Sequence, residues 1–109
     1  MDKKEKQLDI IWSKAIKERV SNKCELCSEK YNLSAHHIIN KSKSKGLRWK
    51  MENGMCLCFN CHRMAHDFPN KFKEKIKDMV DYKELEYRGN QVSKYIDLKK
   101  EEENIKKYG

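Results

Sequence analysis

Two Cys-x2-Cys pairs constrain the fold of this chain more than any other feature. The first pair is Cys24 and Cys27, and the second is Cys58 and Cys61, with thirty residues between the pairs. A two-residue spacer lets both sulfurs of a pair face one ion, so two pairs can enclose a metal tetrahedrally. We therefore predict a closed, structural four-cysteine zinc site. Free buried cysteines at incidental spacing are the alternative.

The composition indicates a small domain that depends on such a metal. The chain has 109 residues, of which 38% are hydrophobic and 39% are charged. This is little apolar material for a core, and small domains of this kind usually need a metal or disulfide. A bound zinc can contribute about 10–16 kcal/mol of folding free energy. We predict one compact domain, made of an amphipathic helix at 1–22, a metal-binding core at 23–68 and a helical extension at 69–109.

The charge of the chain is strongly basic, with Lys+Arg 25 against Asp+Glu 17 and a net charge of +8. This balance favours a polyanionic partner, either nucleic acid or an acidic membrane surface. No apolar run approaches the ~18 residues of a membrane span, and the amino terminus lacks the apolar core of a signal peptide. We therefore expect a cytoplasmic location, where paired cysteines bind metal rather than form disulfides.

Hydrophobic periodicity predicts two short strands among helices. A helix is expected over 2–20, strands over 33–39 and 55–57, and a helix over about 60–67. Pro69 ends that helix, and a further helix is expected from about 70 to a stop at Gly89, with Phe72, Ile76, Met79 and Val80 on its inner face. The charged segment 92–108 is expected to be helical and loosely attached. Trp12 is expected in the core.

The four histidines lie close to the cysteine framework. His62 and His66 are four residues apart on a predicted helix, so they project from one face and can chelate one ion. His36 and His37 are neighbours on a strand and point to opposite faces, so one can ligate a metal while the other acts as a base. A histidine base suits neutral pH because its reference pKa is near 6.5. His66 is alternatively an exposed bystander.

Three further residues have two interpretations each. Cys56 is read as a small core residue rather than a ligand. Asn53, which precedes Gly54, is either a functional residue or only the corner of a hairpin. Trp49 packs in the core or stacks on a base.

The order of these motifs resembles the HNH family of nucleases in its zinc-knuckle form. The similarity covers roughly residues 24–66 and comprises the first cysteine pair, His36-His37-Ile38, Asn53 and the run from Leu57 to His62. The run from Arg48 to Pro69 is also similar to small HNH proteins of bacteriophages. The paired histidines and the His-x3-His spacing further resemble the nuclease domains of colicins.

The resemblance implies an α+β fold with a ββα-metal core, in which two strands and a helix hold one divalent cation. His37 matches the general base, His36 and His62 match metal ligands, and His66 matches the extra ligand of the colicin-like branch. Asn53 matches the asparagine that holds the base-bearing loop or, in some relatives, ligates the metal. Many relatives have Asp where this chain has His36. Three imidazoles favour a borderline transition metal, so Mg²⁺, Mn²⁺, Ni²⁺ and Zn²⁺ are all candidate catalytic ions.

The predicted function is that of a metal-dependent HNH endonuclease that hydrolyses phosphodiester bonds in DNA. The alternative is a zinc-stabilised DNA- or protein-binding module whose histidines are structural. A nuclease needs a second metal ion and a base, whereas a binding module needs only the four-cysteine zinc.

A basic connection between the strands is the predicted DNA contact. It carries Lys41, Lys43, Lys45, Arg48 and Lys50. Such residues contact phosphates and give affinity without reading sequence; a merely solvated loop is the alternative. No membrane partner is expected. A homodimer, or a partner in phage packaging or recombination in an infected bacterial cell, is compatible with the sequence but not required by it.

Overall fold

The computed structural model describes residues 3–40, 43–91 and 96–107. Its helices and strands are α1 Lys3–Arg19, β1 Leu33–His37, β2 Gly54–Cys58, α2 Phe59–Asp67, α3 Pro69–Ile76, α4 Tyr82–Gln91 and α5 Leu98–Lys106. Two short 3-10 turns, Lys45–Leu47 and Met51–Asn53, precede β2. The predicted fold class, a small α+β domain with helices on both sides of a ββα core, is confirmed.

The two strands form an antiparallel hairpin in which Leu33 pairs with Cys58 and His37 pairs with Gly54. Helix α2 begins at the residue after β2, so the chain passes directly from strand to helix. Strand β1 ends two residues earlier than the sequence predicts. The N–H of Ile38 still donates to the backbone carbonyl of Asn53, one position beyond the last pair of the ladder.

Helix α1 covers one face of the hairpin. Leu8, Trp12 and Ile16 follow one another at four-residue spacing and are at most 2% exposed, so they form one apolar stripe. Burial of each such side chain contributes on the order of 1.5–3 kcal/mol. Gly54 permits this close approach, because a Cβ at that position would lie 2.6 Å from a ring carbon of Trp12. Trp12 is therefore a core residue, as expected.

The opposite face of the hairpin packs against the helices that follow it. Met55 and Leu57 on β2 join a second apolar cluster with Phe72, Ile76 and Leu85 from α3 and α4. The cluster under α1 instead contains Cys56 together with Trp12 and Trp49. The two-stranded sheet thus separates two small hydrophobic cores.

The sequence predicts one continuous helix from about 70 to 89, and this prediction is wrong. Helix α3 ends at Ile76 and α4 begins at Tyr82, because the Asp81 carboxylate accepts a hydrogen bond from the Glu84 N–H and starts a new helix. Met79 falls in the turn and is 49% exposed, so it is not on an inner face. Gly89 lies inside α4 rather than at its end.

The carboxyl-terminal helix is attached more firmly than the sequence suggests. Asp97 caps α5 by accepting hydrogen bonds from the N–H groups of Lys99 and Lys100. Ile105 is 1% exposed and belongs to the cluster under α1. The expectation of a loose segment is therefore wrong for 98–106. None of the described helices is long and apolar enough to cross a membrane.

Candidate functional site

The four paired cysteines come together at one point. Cys24 and Cys27 lie in the loop between α1 and β1, while Cys58 ends β2 and Cys61 lies in the first turn of α2. Their sulfur atoms all lie within 4.8 Å of one another, and the Sγ atoms of Cys27 and Cys58 are 3.5 Å apart. Two thiolates on one tetrahedral zinc, each at ~2.3 Å, stand about 3.8 Å apart. This donor set fits a structural metal ion.

The electrostatics of the four thiols also suit a cation. Burial alone would raise the pKa of Cys24, but hydrogen bonds from the backbone N–H groups of Cys58, Leu26 and Cys27 outweigh it and lower the pKa to about 7. Burial and the neighbouring thiols raise the pKa of Cys61. Four thiolates repel one another, and a divalent cation allows all of them to deprotonate together.

The fifth cysteine stands apart from this cluster. Cys56 is fully buried under α1, and its backbone N–H donates to the Glu25 carboxylate at 2.7 Å. Burial, followed by the negative charge of Glu25, raises the pKa of the Cys56 thiol. It therefore stays protonated at neutral pH and serves as the small core residue that the sequence predicts.

A second cluster consists of three imidazoles. His36 on β1 and His62 and His66 on α2 each offer a ring nitrogen, and these atoms lie within 4.8 Å of one another. The Nε2 atoms of His62 and His66 are 3.2 Å apart. Two nitrogen ligands on one tetrahedral ion, each at ~2.0–2.1 Å, stand about 3.3 Å apart. The spacing thus fits a single divalent cation, and the exposure of His66 leaves the cluster open to solvent.

Two of the three imidazoles, those of His36 and His62, are held in the neutral form that binds metal. Burial, followed by the positive charges of His62 and His66, lowers the pKa of His36 to about 4. Burial and the charge of His66 also lower the pKa of His62. Both rings are therefore neutral at pH 7 and keep a lone pair for a cation. The ring of Phe72 contacts His36 edge-on at a centroid distance of 5.2 Å, a site contact for a residue that the sequence placed only in the core.

His37 lies on the other face of β1. Its ring stacks on Trp12, with centroids 4.2 Å apart and planes 11° from parallel. Its Nε2 atom is 2.9 Å from the backbone carbonyl oxygen of Arg48. Because a carbonyl can only accept, Nε2 carries the proton and Nδ1 carries the lone pair. The ring is half-buried. The sequence predicted the opposed directions of His36 and His37, but not the contact with Trp12.

Asn53 clasps the loop that follows β1. Its side chain is fully buried; Oδ1 accepts from the Ile39 N–H at 2.7 Å, and Nδ2 donates to the carbonyls of Ile39 and Leu47, both at 3.1 Å. Of the roles considered for Asn53, this geometry supports that of holding the loop that follows His37. The interpretation as a mere hairpin corner is wrong, since the residue ends a 3-10 turn and ties distant backbone together.

Asn53→Ala is expected to lower the free energy of unfolding by about 3 kcal/mol, because the buried N–H and carbonyl of Ile39 lose this partner and the Leu47 carbonyl keeps its bond from the Lys50 N–H but loses the one from Asn53. Urea unfolding in zinc-containing buffer measures this change. The matched control is Asn70→Ala on the exposed surface of α3, expected to stay within about 0.5 kcal/mol of the parent. If the free energy of unfolding of Asn53→Ala fell by less than ~1 kcal/mol, the hydrogen bonds of the Asn53 side chain would not be needed for stability.

Arg48 occupies a buried position in the basic connection. It is 7% exposed, and its Nη2 atom is 2.6 Å from an Asp9 carboxylate oxygen. Its Nη1 atom is 3.6 Å from Glu5. Trp49 is 1% exposed and also donates to Asp9 through Nε1, so it packs in the core. The expectation that Arg48 contacts DNA conflicts with this arrangement, because α1 already neutralises the guanidinium.

The lysines of the same connection have different surroundings. Lys45 is 3.3 Å from the Glu5 carboxylate, and Lys50 is 2.8 Å from that of Glu101 on α5. Lys43 is exposed. Lys41 lies outside the described residues. The connection therefore joins α1 and α5 to the core through ion pairs, a function that sequence reasoning missed because the acidic partners are distant along the chain.

Comparison with known proteins gives one match. No curated protein and no solved structure matches the chain. Residues 24–68, however, match the model of the HNH endonuclease family. This segment contains the four clustered cysteines and the three clustered imidazoles. The match confirms the resemblance to HNH endonucleases seen in the sequence, while the zinc-knuckle form and the similarity to bacteriophage proteins stay predictions. Residues 24–68, which contain both clusters, thus form a segment of this chain that matches the HNH endonuclease family.

Proposed function

We propose that the chain is a metal-dependent endonuclease that hydrolyses phosphodiester bonds in DNA. The observation that carries this proposal is the open three-imidazole cluster, separate from the four-cysteine cluster. A structural role needs only one closed site, whereas three clustered imidazoles, of which His66 is exposed, suit a cation with a coordination position left for substrate. The family match over residues 24–68 supports a nuclease-type function.

The residues around the cluster have distinct roles in this proposal. His36, His62 and His66 would hold a cation, which would supply positive charge to stabilise the phosphate and the leaving oxygen. His37 accepts a proton from the attacking water at Nδ1, the atom that carries its lone pair. The Arg48 carbonyl fixes the tautomer and direction of the His37 ring through Nε2. Asn53 holds the loop from which that carbonyl projects.

The identity of the two ions follows from their ligands. Four thiolates are typical of structural Zn²⁺. Three imidazoles without a carboxylate favour a borderline transition metal over Mg²⁺, so we expect Mn²⁺, Ni²⁺ or Zn²⁺ to compete with Mg²⁺ at the open site.

A zinc-stabilised DNA-binding module without catalysis is the second candidate. The observation that favours it is the stacking of His37 on Trp12, on the face of β1 opposite to the imidazole cluster. In that case His37 is a packing residue and the imidazole cluster stiffens the fold.

Supercoiled plasmid distinguishes the two candidates. Purified protein is incubated with it in separate reactions containing Mg²⁺, Mn²⁺, Ni²⁺ or Zn²⁺, with a metal-free reaction as the control. The nuclease proposal predicts nicked or linear DNA with at least one of these ions. Intact plasmid in every reaction, with calorimetry showing that the imidazole cluster has bound its ion, would favour the binding module.

A further inference from the structure

The structure describes four of the basic residues in the connection between β1 and β2, and three of them form ion pairs within the molecule. Carboxylates on α1 bind Lys45 and Arg48, and Glu101 on α5 binds Lys50. A DNA phosphate would have to displace these carboxylates. Its binding there releases less net free energy than binding at a lysine without an acidic partner. The main contact with DNA is therefore to be sought elsewhere on the surface.

Helix α3 lies directly beside the imidazole cluster. Phe72 on this helix contacts the His36 ring, with centroids 5.2 Å apart. Only Phe68 separates α3 from α2, the helix that carries the other two imidazoles. Phe72 and Ile76 are 4% and 0% exposed and form the inner face of α3. The outer positions of this helix are consequently within reach of a polymer that lies across the cluster.

The lysines on the two sides of α3 differ in whether they contact another side chain. At roughly 100° per residue, Lys73 and Lys77 lie on one side of the buried face, and Lys71 and Lys75 lie on the other. Lys73 covers an aromatic ring of α4, and Lys77 pairs with a neighbouring glutamate. Lys71 and Lys75 are exposed, and neither forms an ion pair with any residue in the described ranges.

We propose that Lys71 and Lys75 bind the phosphate backbone of DNA next to the bond that is cut. The inference rests on the proposed nuclease function, since it assigns the DNA-binding surface of that same site. Residues four apart on a helix project together, with Cβ atoms about 5–6 Å apart, so both ammonium groups can reach one strand. Such contacts fix the position of the duplex without reading its sequence.

The test measures duplex binding by fluorescence anisotropy from about 50 to 300 mM salt. All proteins carry His37→Ala to prevent cleavage, and one also carries Lys71→Gln and Lys75→Gln. Gln has a helix propensity close to that of Lys, so α3 is retained. Each lost phosphate contact lowers the salt slope by about 0.9. The double replacement is expected to reduce the slope by about 2 and the affinity at ~100 mM salt by tenfold or more.

The matched control removes the same charge from the basic connection through Lys45→Gln and Lys50→Gln. Because these lysines are paired internally, the control is expected to melt at a lower temperature but to keep the parent's salt slope. An unchanged slope for the α3 variant, or a loss of slope in the control alone, would overturn the inference. Binding by the His37→Ala parent that is absent or independent of salt would instead refute the proposed action on DNA.

Discussion

Replacing Cys58 with Ser is expected to unfold the chain and to abolish zinc binding by the four-cysteine cluster. The Cys58 sulfur lies 3.5 Å from that of Cys27, and its backbone joins β2 to α2. Structural zinc contributes about 10–16 kcal/mol in small metal-binding peptides. Whole domains are stable by only about 5–15 kcal/mol, so loss of this contribution exceeds what two small cores can offset. The expected result is loss of the helical circular dichroism signal.

Cys56→Ala provides the matched control, because it removes a thiol two residues away on the same strand. Cys56 is buried but lies outside the four-cysteine cluster. Its replacement is expected to cost about 1 kcal/mol and to leave one zinc per chain, measured by atomic emission after dialysis. A folded Cys58→Ser protein with a full zinc content would show that the four cysteines do not form the structural site.

The core of the fold could be predicted because its determinants are local. The cysteine spacing, the strand pattern and the stop before Pro69 lie in one segment, and the α+β class with a ββα core follows from them. The division into 1–22, 23–68 and 69–109 stays a prediction. The break between α3 and α4 was missed because Asp81 starts a helix by a side-chain cap, while the apolar spacing of 72–80 continues across it.

The sequence predicted which residues cluster at the candidate site but not which residues surround them. The clustering of His36, His62 and His66 follows from helical and strand geometry. The pairing of Arg48 with Asp9 does not, because 39 residues separate them and no local pattern indicates which carboxylate a basic loop will meet. The sequence therefore predicted which histidines come together, whereas the ion pairs of the basic connection depend on tertiary contacts.

Replacing His37 with Ala is expected to lower the rate of plasmid cleavage by about 10²–10⁴ at saturating metal, the range that general-base catalysis contributes. The cause is loss of the group that accepts the proton of water, since the metal ligands are on the other face of β1. Loss of the stack on Trp12 also affects stability. His37→Phe keeps an aromatic ring against Trp12 without a base, so it should be equally inactive; it loses the hydrogen bond to the Arg48 carbonyl but should melt closer to the parent than His37→Ala.

His66→Ala separates metal binding from proton transfer. His66 is the exposed member of the imidazole cluster, so its loss weakens the hold on the catalytic ion while His36 and His62 remain. Its activity is expected to recover as the metal concentration rises, whereas that of His37→Ala is not. If excess metal restored His37→Ala or left His66→Ala unaffected, the assignment of base and ligand would be wrong. Cleavage rates of His37→Ala, His37→Phe and His66→Ala over a metal titration measure this difference. Loss of a ligand lowers the fraction of protein that holds the metal ion, whereas loss of the base lowers the cleavage rate even when every site is filled.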